Sequence, residues 1–153
     1  MIVAKDVPLS EITLRKYEKP AKLKERELVK KVCLAVGLLQ PGDSRDVVVD
    51  VLHVLLKGMK RKRAFNCSEI EKRVIQNRKM HKLPMLGVAP SNVRRQIKRL
   101  RSLFFIEKVK TTYRITEFSP LSETFEEKIE RFLLHSTLQR VKEYLSAIDD
   151  KFA

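Results

Sequence analysis

Four polar side chains between positions 92 and 99 could read the edges of nucleic-acid bases. They recur at intervals of three, one and three residues, which places them along one side of an α-helix. In the major groove of a duplex, arginine forms two hydrogen bonds with guanine, and asparagine or glutamine does the same with adenine. Contact with phosphate alone and a solvated helix face are the alternatives. The four candidate base readers are Asn92, Arg95, Gln96 and Arg99.

The segment from Lys57 to Arg114 holds the whole positive charge excess of the chain. Its 58 residues include 18 Lys or Arg and three Glu, a balance of +15 in a chain that carries +14 overall. Such a segment repels itself unless a polyanion lies nearby, and clustered basic residues are the electrostatic footprint of a nucleic-acid binder. A solvated Lys-rich face is the alternative. The concentration of charge into one segment favours nucleic acid.

Ten further basic side chains are candidate contacts to the nucleic-acid backbone. Contacts to phosphate position a protein on nucleic acid without reading its sequence. Three of the ten flank the base readers on the same predicted helix, and three lie in a predicted hairpin. The other four form a run of consecutive cations, and for these the alternative is a solvated loop that contacts no nucleic acid. They are Arg94, Lys98 and Arg101 in the helix, Lys108, Lys110 and Arg114 in the hairpin, and Lys60, Arg61, Lys62 and Arg63 in the run.

Acidic and histidine side chains make a weaker case for a metal or catalytic site. Four of them recur at intervals of three, four and three residues, which would place them on one face of a helix. Acidic residues near a helix start are also explained by the helix dipole, and the last two of the four are then polar-face residues. With four glycines and no glycine-rich phosphate loop, we expect no enzyme, metal, cofactor or identifiable small-molecule ligand. The four residues are Asp43, Asp46, Asp50 and His53.

Cysteine usage and hydropathy argue against several other classes of protein. Cys33 and Cys67 are 34 residues apart, with no CxxC motif and no paired histidines nearby. We therefore expect two buried small hydrophobic residues rather than a disulfide framework or a zinc site. The sequence has neither an apolar run of roughly 18 residues nor a signal-peptide core. We expect a cytoplasmic, nucleoid-associated protein with no membrane partner.

Apolar periodicity and turn residues predict four helices in the first two thirds of the chain. The first runs from Lys22 to Leu39, and a mostly buried second one follows from Ser44 to Lys57. The third begins with a capping box at Ser68 to Glu71 and continues toward Met80. The fourth spans residues 91–103, with Val93, Ile97, Leu100 and Phe104 on its inner side and the four base readers on its outer side.

A hairpin and a long helix complete the predicted elements. From Phe105 to Thr116 the apolar period changes to two, which is typical of a short β-hairpin. A final helix begins near Ser122. Its apolar residues step by four and three in a heptad seam, so we expect a homodimer helix, with packing against the chain's own N-terminal helices as the alternative. The seam consists of Leu134, Leu138, Val141, Leu145, Ile148 and Phe152.

The stretch from Ser68 to Thr116 resembles the winged helix-turn-helix superfamily, with bacterial and archaeal transcription regulators as nearest relatives. The resemblance rests on the N-capped helix at Ser68, on Ala89–Leu100 as recognition helix and on the hairpin that closes at Tyr113–Thr116. It covers about one third of the chain. Two features depart from the superfamily pattern. The connector that ends at Ala89 is longer than the usual tight turn, and Phe104 stands where relatives often carry glycine.

The resemblance implies a mainly α fold with a small β-hairpin wing. On this basis we expect an N-terminal helical extension over residues 1–43, a winged-helix DNA-binding domain over 44–118 and a C-terminal dimerisation helix over 119–153. The expected function is sequence-specific binding of double-stranded DNA by a dimeric transcriptional regulator, with the helix over 91–103 in the major groove.

Two other functions stay open at this point. One is an RNA-binding or ribosome-associated winged-helix factor, for which aromatic side chains that stack on unpaired bases are usual. The other is a protein-interaction module of a larger nucleoprotein complex. The candidate stacking residues are Phe65, Phe104, Phe105 and Tyr113.

Overall fold

The computed structural model describes residues 6–153, and it is mainly α-helical with one small antiparallel hairpin, as predicted. Residues 7–24 run without helix or strand. Four helices and then two strands follow. After them comes a long C-terminal helix, whose middle part is π-helical. The elements are α1 (Glu25–Ala35), α2 (Val47–Met59), α3 (Cys67–Met80), α4 (Pro90–Ser102), β1 (Ile106–Val109), β2 (Thr112–Ile115), α5 (Leu121–Thr124), a π-helical stretch (Phe125–Leu134) and α6 (His135–Phe152).

Helix α2 forms the centre of the molecule. Every residue from Val47 to Leu55 is buried, and a helix that is buried on all sides must be surrounded by other elements. Helices α1, α3 and α4 and strand β2 all pack on it. The same core takes Cys33 from α1 and Ile129 from the π-helical stretch, so all three predicted regions contribute to it. Within residues 6–153, no helix is both long and apolar enough to cross a membrane.

The starts of two helices differ from the prediction, by three residues for α2 and by one for α3. Helix α2 begins at Val47 rather than at 44, since the Asp43 carboxylate accepts the backbone N–H of Arg45 at 2.9 Å in a local turn. Helix α3 begins at Cys67, and its N-cap residue lies two positions before the predicted one. Its capping box pairs Asn66 with Glu69, through N–H···O contacts of 2.9 and 3.2 Å.

The predicted hairpin is present and gains one further backbone pairing. Ile106 faces Ile115 at its base, and Val109 faces Thr112 next to a two-residue turn. Phe65, which lies between α2 and α3, pairs with Tyr113 on the other edge of β2, with N···O distances of 2.9 and 2.7 Å. Between α4 and β1, Phe104 has φ 66°, in the left-handed region that favours glycine.

Helix α6 presents its apolar seam to solvent. None of its residues is buried, and Leu138, Val141, Leu145 and Ile148 are 48–57% exposed. The alternative that this seam packs on the N-terminal helices is therefore wrong for the described residues. From residue 6 onward, the N-terminal segment contacts α6 through the hydroxyl of Ser10, which lies 3.3 Å from that of Thr137.

Candidate nucleic-acid interface

Helix α4 carries an exposed row of four cations. Pro90 occupies its first turn, where the missing N–H costs nothing, and Val93, Ile97 and Leu100 anchor its inner side in the core. The exposed side chains recur at intervals of one, three and three residues, which keeps them on one helix face. We call this row the basic stripe; it consists of Arg94, Arg95, Lys98 and Arg101.

The prediction that Gln96 faces outward is wrong. Gln96 is only 6% exposed, and Asn92 and Arg99 beside it are half-buried. The reason is that residues following α1 cover this flank of α4: Nη2 of Arg99 donates to the carbonyl oxygen of Gly37 at 3.3 Å. The sequence held a signal for this burial, because Gln96 stands three residues after Val93 and four before Leu100, at the spacing of the core positions.

Three of the four candidate base readers are linked to one another and to the backbone. Nδ2 of Asn92 donates to Gly87 O at 2.7 Å, and Oδ1 of Asn92 accepts from Nε2 of Gln96 at 3.0 Å. Oε1 of Gln96 in turn accepts from Nη1 of Arg99 at 2.9 Å. These side chains therefore position α4 against its neighbours. Arg95 is the exposed member of the set, and it donates from Nη2 to Asn92 Oδ1 at 3.2 Å.

The cations at the centre of the exposed face of α4 differ from those predicted to lie there. Arg94, Lys98 and Arg101 were expected at the flanks of the interface, but they occupy the middle of the exposed face. Arg94 lies 3.8 Å from the Glu71 carboxylate of α3, a loose ion pair. Oε1 of Glu71, the oxygen on that side, is buried and has no hydrogen-bond partner among the described residues, so this carboxylate would compete with an incoming anion for Arg94.

Tyr113 connects the basic stripe to the hairpin. The guanidinium of Arg101 and the ammonium of Lys108 lie 5.9 and 5.8 Å from the centroid of the Tyr113 ring, at cation–π distance. Lys108 and Lys110 are exposed, and Lys110 adopts φ 58° in the hairpin turn. Stripe and hairpin lysines thus form one continuous basic surface.

Arg114, the third predicted cation of the hairpin, is engaged within it. Its Nε donates to Oε2 of Glu107 at 2.7 Å, and both side chains are half-buried. Burial acts to raise the pKa of Glu107, but the N–H of Glu117 and the charge of Arg114 outweigh it and hold that pKa below its ordinary value. Glu107 therefore stays ionised and keeps Arg114 paired.

The run of four cations after α2 lies apart from this surface. Lys60, Arg61, Lys62 and Arg63 are exposed in the turn between α2 and α3. Arg63 pairs with Glu69 at 3.0 Å, and three of the four line a pocket with Arg73 of α3 rather than with α4. Sequence reasoning did not single out Arg73, since its place beside the run depends on how α3 packs.

Three of the four acidic and histidine candidates, Asp46, Asp50 and His53, form part of a buried polar network, whereas Asp43 is exposed. Asp50 and His53, expected on a polar face, are 0% and 1% exposed. Asp50 accepts from Arg26 and Arg78 at 2.8–3.0 Å, and Asp46 accepts from the same two arginines. Their partners come from α1 and α3, which no local sequence pattern reveals. In the part of the chain from residue 6 onward, no group of His, Cys, Asp and Glu could hold a metal ion.

The geometry around α4 therefore offers one extended cationic surface. It runs from Arg94 along the basic stripe and continues through Tyr113 to Lys108 and Lys110. Comparison of the chain with family models, with curated proteins and with solved structures finds no match. The ligand of this surface is inferred from its own chemistry.

Proposed function

We propose that this protein is a winged-helix protein that binds double-stranded DNA, with α4 in the major groove and the β1–β2 hairpin as a basic wing. The observation that carries the proposal is the continuity of the basic stripe with the hairpin lysines across Tyr113. An α-helix fits the major groove, and a hairpin beside it can reach the neighbouring backbone or minor groove.

The order of elements supports a winged helix. Helix α2 leads through the paired residue Phe65 to α3 and α4, and the hairpin follows directly. Packing of α3 and α4 on the same central helix holds the two in fixed relation. In the winged-helix arrangement the helix of the α4 position enters the groove, and α4 is also the helix whose outer face is cationic.

Within this interface we assign different roles to the cations. Arg95 is the base reader, because it is exposed and arginine pairs with guanine through two hydrogen bonds. Arg94, Lys98 and Arg101, with Lys108 and Lys110, contact phosphate and set the register. Asn92, Gln96 and Arg99 act indirectly, by holding α4 in place.

A homodimer through the exposed seam of α6 completes the proposal. Two copies would present two α4 helices to half-sites one helical turn apart, as expected of a transcriptional regulator of the nucleoid that works without catalysis or a cofactor. Burial of Phe65 and Phe105, each 2% exposed, favours duplex DNA over unpaired RNA, because two of the four candidate stacking rings are inaccessible.

The test compares charge removal on α4 with the same removal elsewhere. A variant with Arg95→Gln and Lys98→Gln loses two cations of the basic stripe, whereas Lys142→Gln with Lys151→Gln loses two exposed cations of α6. We expect the first to lower duplex affinity at least tenfold and, because Lys98 is the phosphate contact that it removes, to reduce the slope of log K against log salt by about one. The α6 variant should retain the wild-type slope. Equal losses in both variants would contradict docking through α4.

A further inference from the structure

A second basic site lies between the end of α2 and one flank of α3. It is a pocket of about 400 Å³, and no acidic side chain is among the residues that line it. Its ring of cations comes from the last turn of α2, the following turn and the middle of α3. We call it the basic pocket, and its cations are Lys57, Lys60, Arg61, Arg63 and Arg73.

A buried aromatic ring orients two of these cations. The guanidinium groups of Arg63 and Arg73 lie 4.8 and 4.9 Å from the centroid of Phe65, which is 2% exposed. Phe65 can approach α2 because residue 58 is glycine: a Cβ there would lie 2.6 Å from the ring. Two guanidinium groups held by a fixed ring lose little freedom when they bind a ligand.

A third cation of the pocket, Lys57, is held by a hydrogen bond to another residue that lines it. Nζ of Lys57 donates to Oδ1 of Asn77 at 2.8 Å, and Nδ2 of Asn77 donates to the buried carboxylate of Asp50 at 2.9 Å. Among the described residues, Glu69 pairs directly with Arg63, and Glu25 lines a neighbouring pocket together with Lys57 and Lys60. Five cations against these two carboxylates leave the pocket a positive excess, which a compact anion with several negative charges would relieve.

The pocket opens on the opposite flank of α3 from α4. Glu71 points toward Arg94 of α4, whereas Arg73 lines the pocket. Two residues along a helix are about 200° of rotation apart, so these side chains leave α3 on opposite sides. A duplex lying on the basic stripe would not fill this pocket.

We infer that the basic pocket is a second binding site, which takes a phosphate group. The planar guanidinium groups of Arg63 and Arg73 match the geometry of phosphate oxygens, and the lysines add charge without directional demand. The phosphate could belong to a free phosphate ester such as a nucleotide or to a second segment of nucleic acid. Only binding of a second nucleic-acid segment rests on the proposed function. With a duplex on the basic stripe and another at the basic pocket, the protein would hold two duplexes.

The first arm of the test uses small anions and the full chain. Inorganic phosphate and ATP are titrated separately at constant ionic strength, with chloride as reference, and followed by calorimetry and by the melting temperature. Wild type should bind at least one of them, and Lys60→Gln with Arg73→Gln should weaken that binding about tenfold or more. A second variant carries Lys60→Gln and Arg61→Gln. It changes two exposed positions and keeps both cation–π contacts with Phe65. Arg140→Gln with Lys142→Gln on α6 is the matched control and should bind as wild type does.

The second arm distinguishes the two sources of phosphate. Protein bound to an immobilised duplex is offered a second, labelled duplex. If nucleic acid is the source, the pocket variants keep the first duplex but lose the second, while Leu145→Glu on the α6 seam still captures it. Small-anion binding without pocket-dependent capture assigns a free phosphate ester. If neither arm depends on the pocket cations, the inference is overturned. If no duplex binds at all, the proposed function fails, and the first arm still decides the pocket.

Discussion

Nη1 of Arg78 lies 2.8 Å from Oδ2 of Asp50, and the two side chains are 1% and 0% exposed. The same nitrogen donates to Asp46 at 2.8 Å, and Nε of Arg78 donates to the carbonyl oxygen of Pro84 at 2.8 Å. Arg26 approaches the two carboxylates from α1. This buried network therefore joins α1, α2 and α3, and through Pro84 it also holds the connector that leads into α4.

Removal of Arg78 should destabilise the protein strongly. Arg78→Met leaves two buried carboxylates with Arg26 as their remaining buried cation, and breaking a buried ion pair on one side costs about 3–5 kcal/mol. Urea unfolding followed by circular dichroism measures the loss. Arg140→Met, at an exposed ion pair on α6, is the control and should leave the midpoint unchanged. A loss for Arg78→Met no larger than that of the control would mean that the network does not stabilise the fold.

Acid should destabilise the fold in two steps. Burial lowers the pKa of His53 and outweighs the hydrogen bond to Glu25, which acts to raise it. The unfolded chain then takes up a proton that the folded chain refuses, so stability declines as the pH falls below about 6.5 and levels off below the folded pKa. For Asp46, burial acts to raise the pKa, but the hydrogen bond from Arg78 and nearby cations lower it overall. The contribution of Asp46 to the free energy of unfolding is therefore present above about pH 4, and it is lost as the pH falls through the folded pKa.

Urea unfolding between pH 8 and pH 3 checks both steps. His53→Gln should flatten the dependence just below pH 6.5 and keep the step at lower pH. An identical dependence in wild type and in this variant would show that His53 does not titrate on unfolding.

The two cysteines should differ sharply in reactivity. Burial raises the pKa of Cys33 to about 12, so its thiolate is scarce at neutral pH, whereas Cys67 at the start of α3 is half-buried. The prediction of two buried cysteines is thus confirmed for Cys33 alone. Iodoacetamide applied to the folded protein at pH 8 should label Cys67 at least a hundredfold faster, because the thiolate is the nucleophile. Mass spectrometry of the labelled peptides gives the rates, and equal rates would contradict the burial of Cys33.

The apolar seam of α6 should support a dimer that a single charge disrupts. Leu145→Glu places a carboxylate in the seam, and burying it between two helices would weaken association about a hundredfold or more. Since no residue of α6 is buried within the chain, the fold itself should be retained. Ser146→Glu adds the same charge one position along, outside the seam, and is the matched control. Light scattering after gel filtration should give twice the monomer mass for wild type and control; a monomeric wild type would refute the dimer.

Local periodicity was enough to predict the elements but not the surface they expose. The spacing of Val93, Ile97 and Leu100 placed α4 correctly, and the change to period two placed the hairpin. The burial of Gln96 had a local signal in its spacing from Val93 and Leu100, but the cover on this flank of α4 did not: Gly37 O, which accepts from Arg99, lies 62 residues away in sequence. Likewise, the partners that bury Asp50 come from α1 and α3. Contacts between distant segments leave no periodic trace, and this is why the cover over Arg99 and the partners of Asp50 could not be predicted.

The most direct test of DNA binding is fluorescence anisotropy with labelled random duplex DNA, single-stranded DNA and structured RNA over a salt series. The five phosphate contacts, three on the basic stripe and two in the hairpin, should give a slope of log K against log salt of about −4.5 per protomer for duplex DNA. We expect duplex DNA to bind most tightly. Equal or tighter binding of RNA, or no binding to duplex DNA at low salt, would contradict the proposed function.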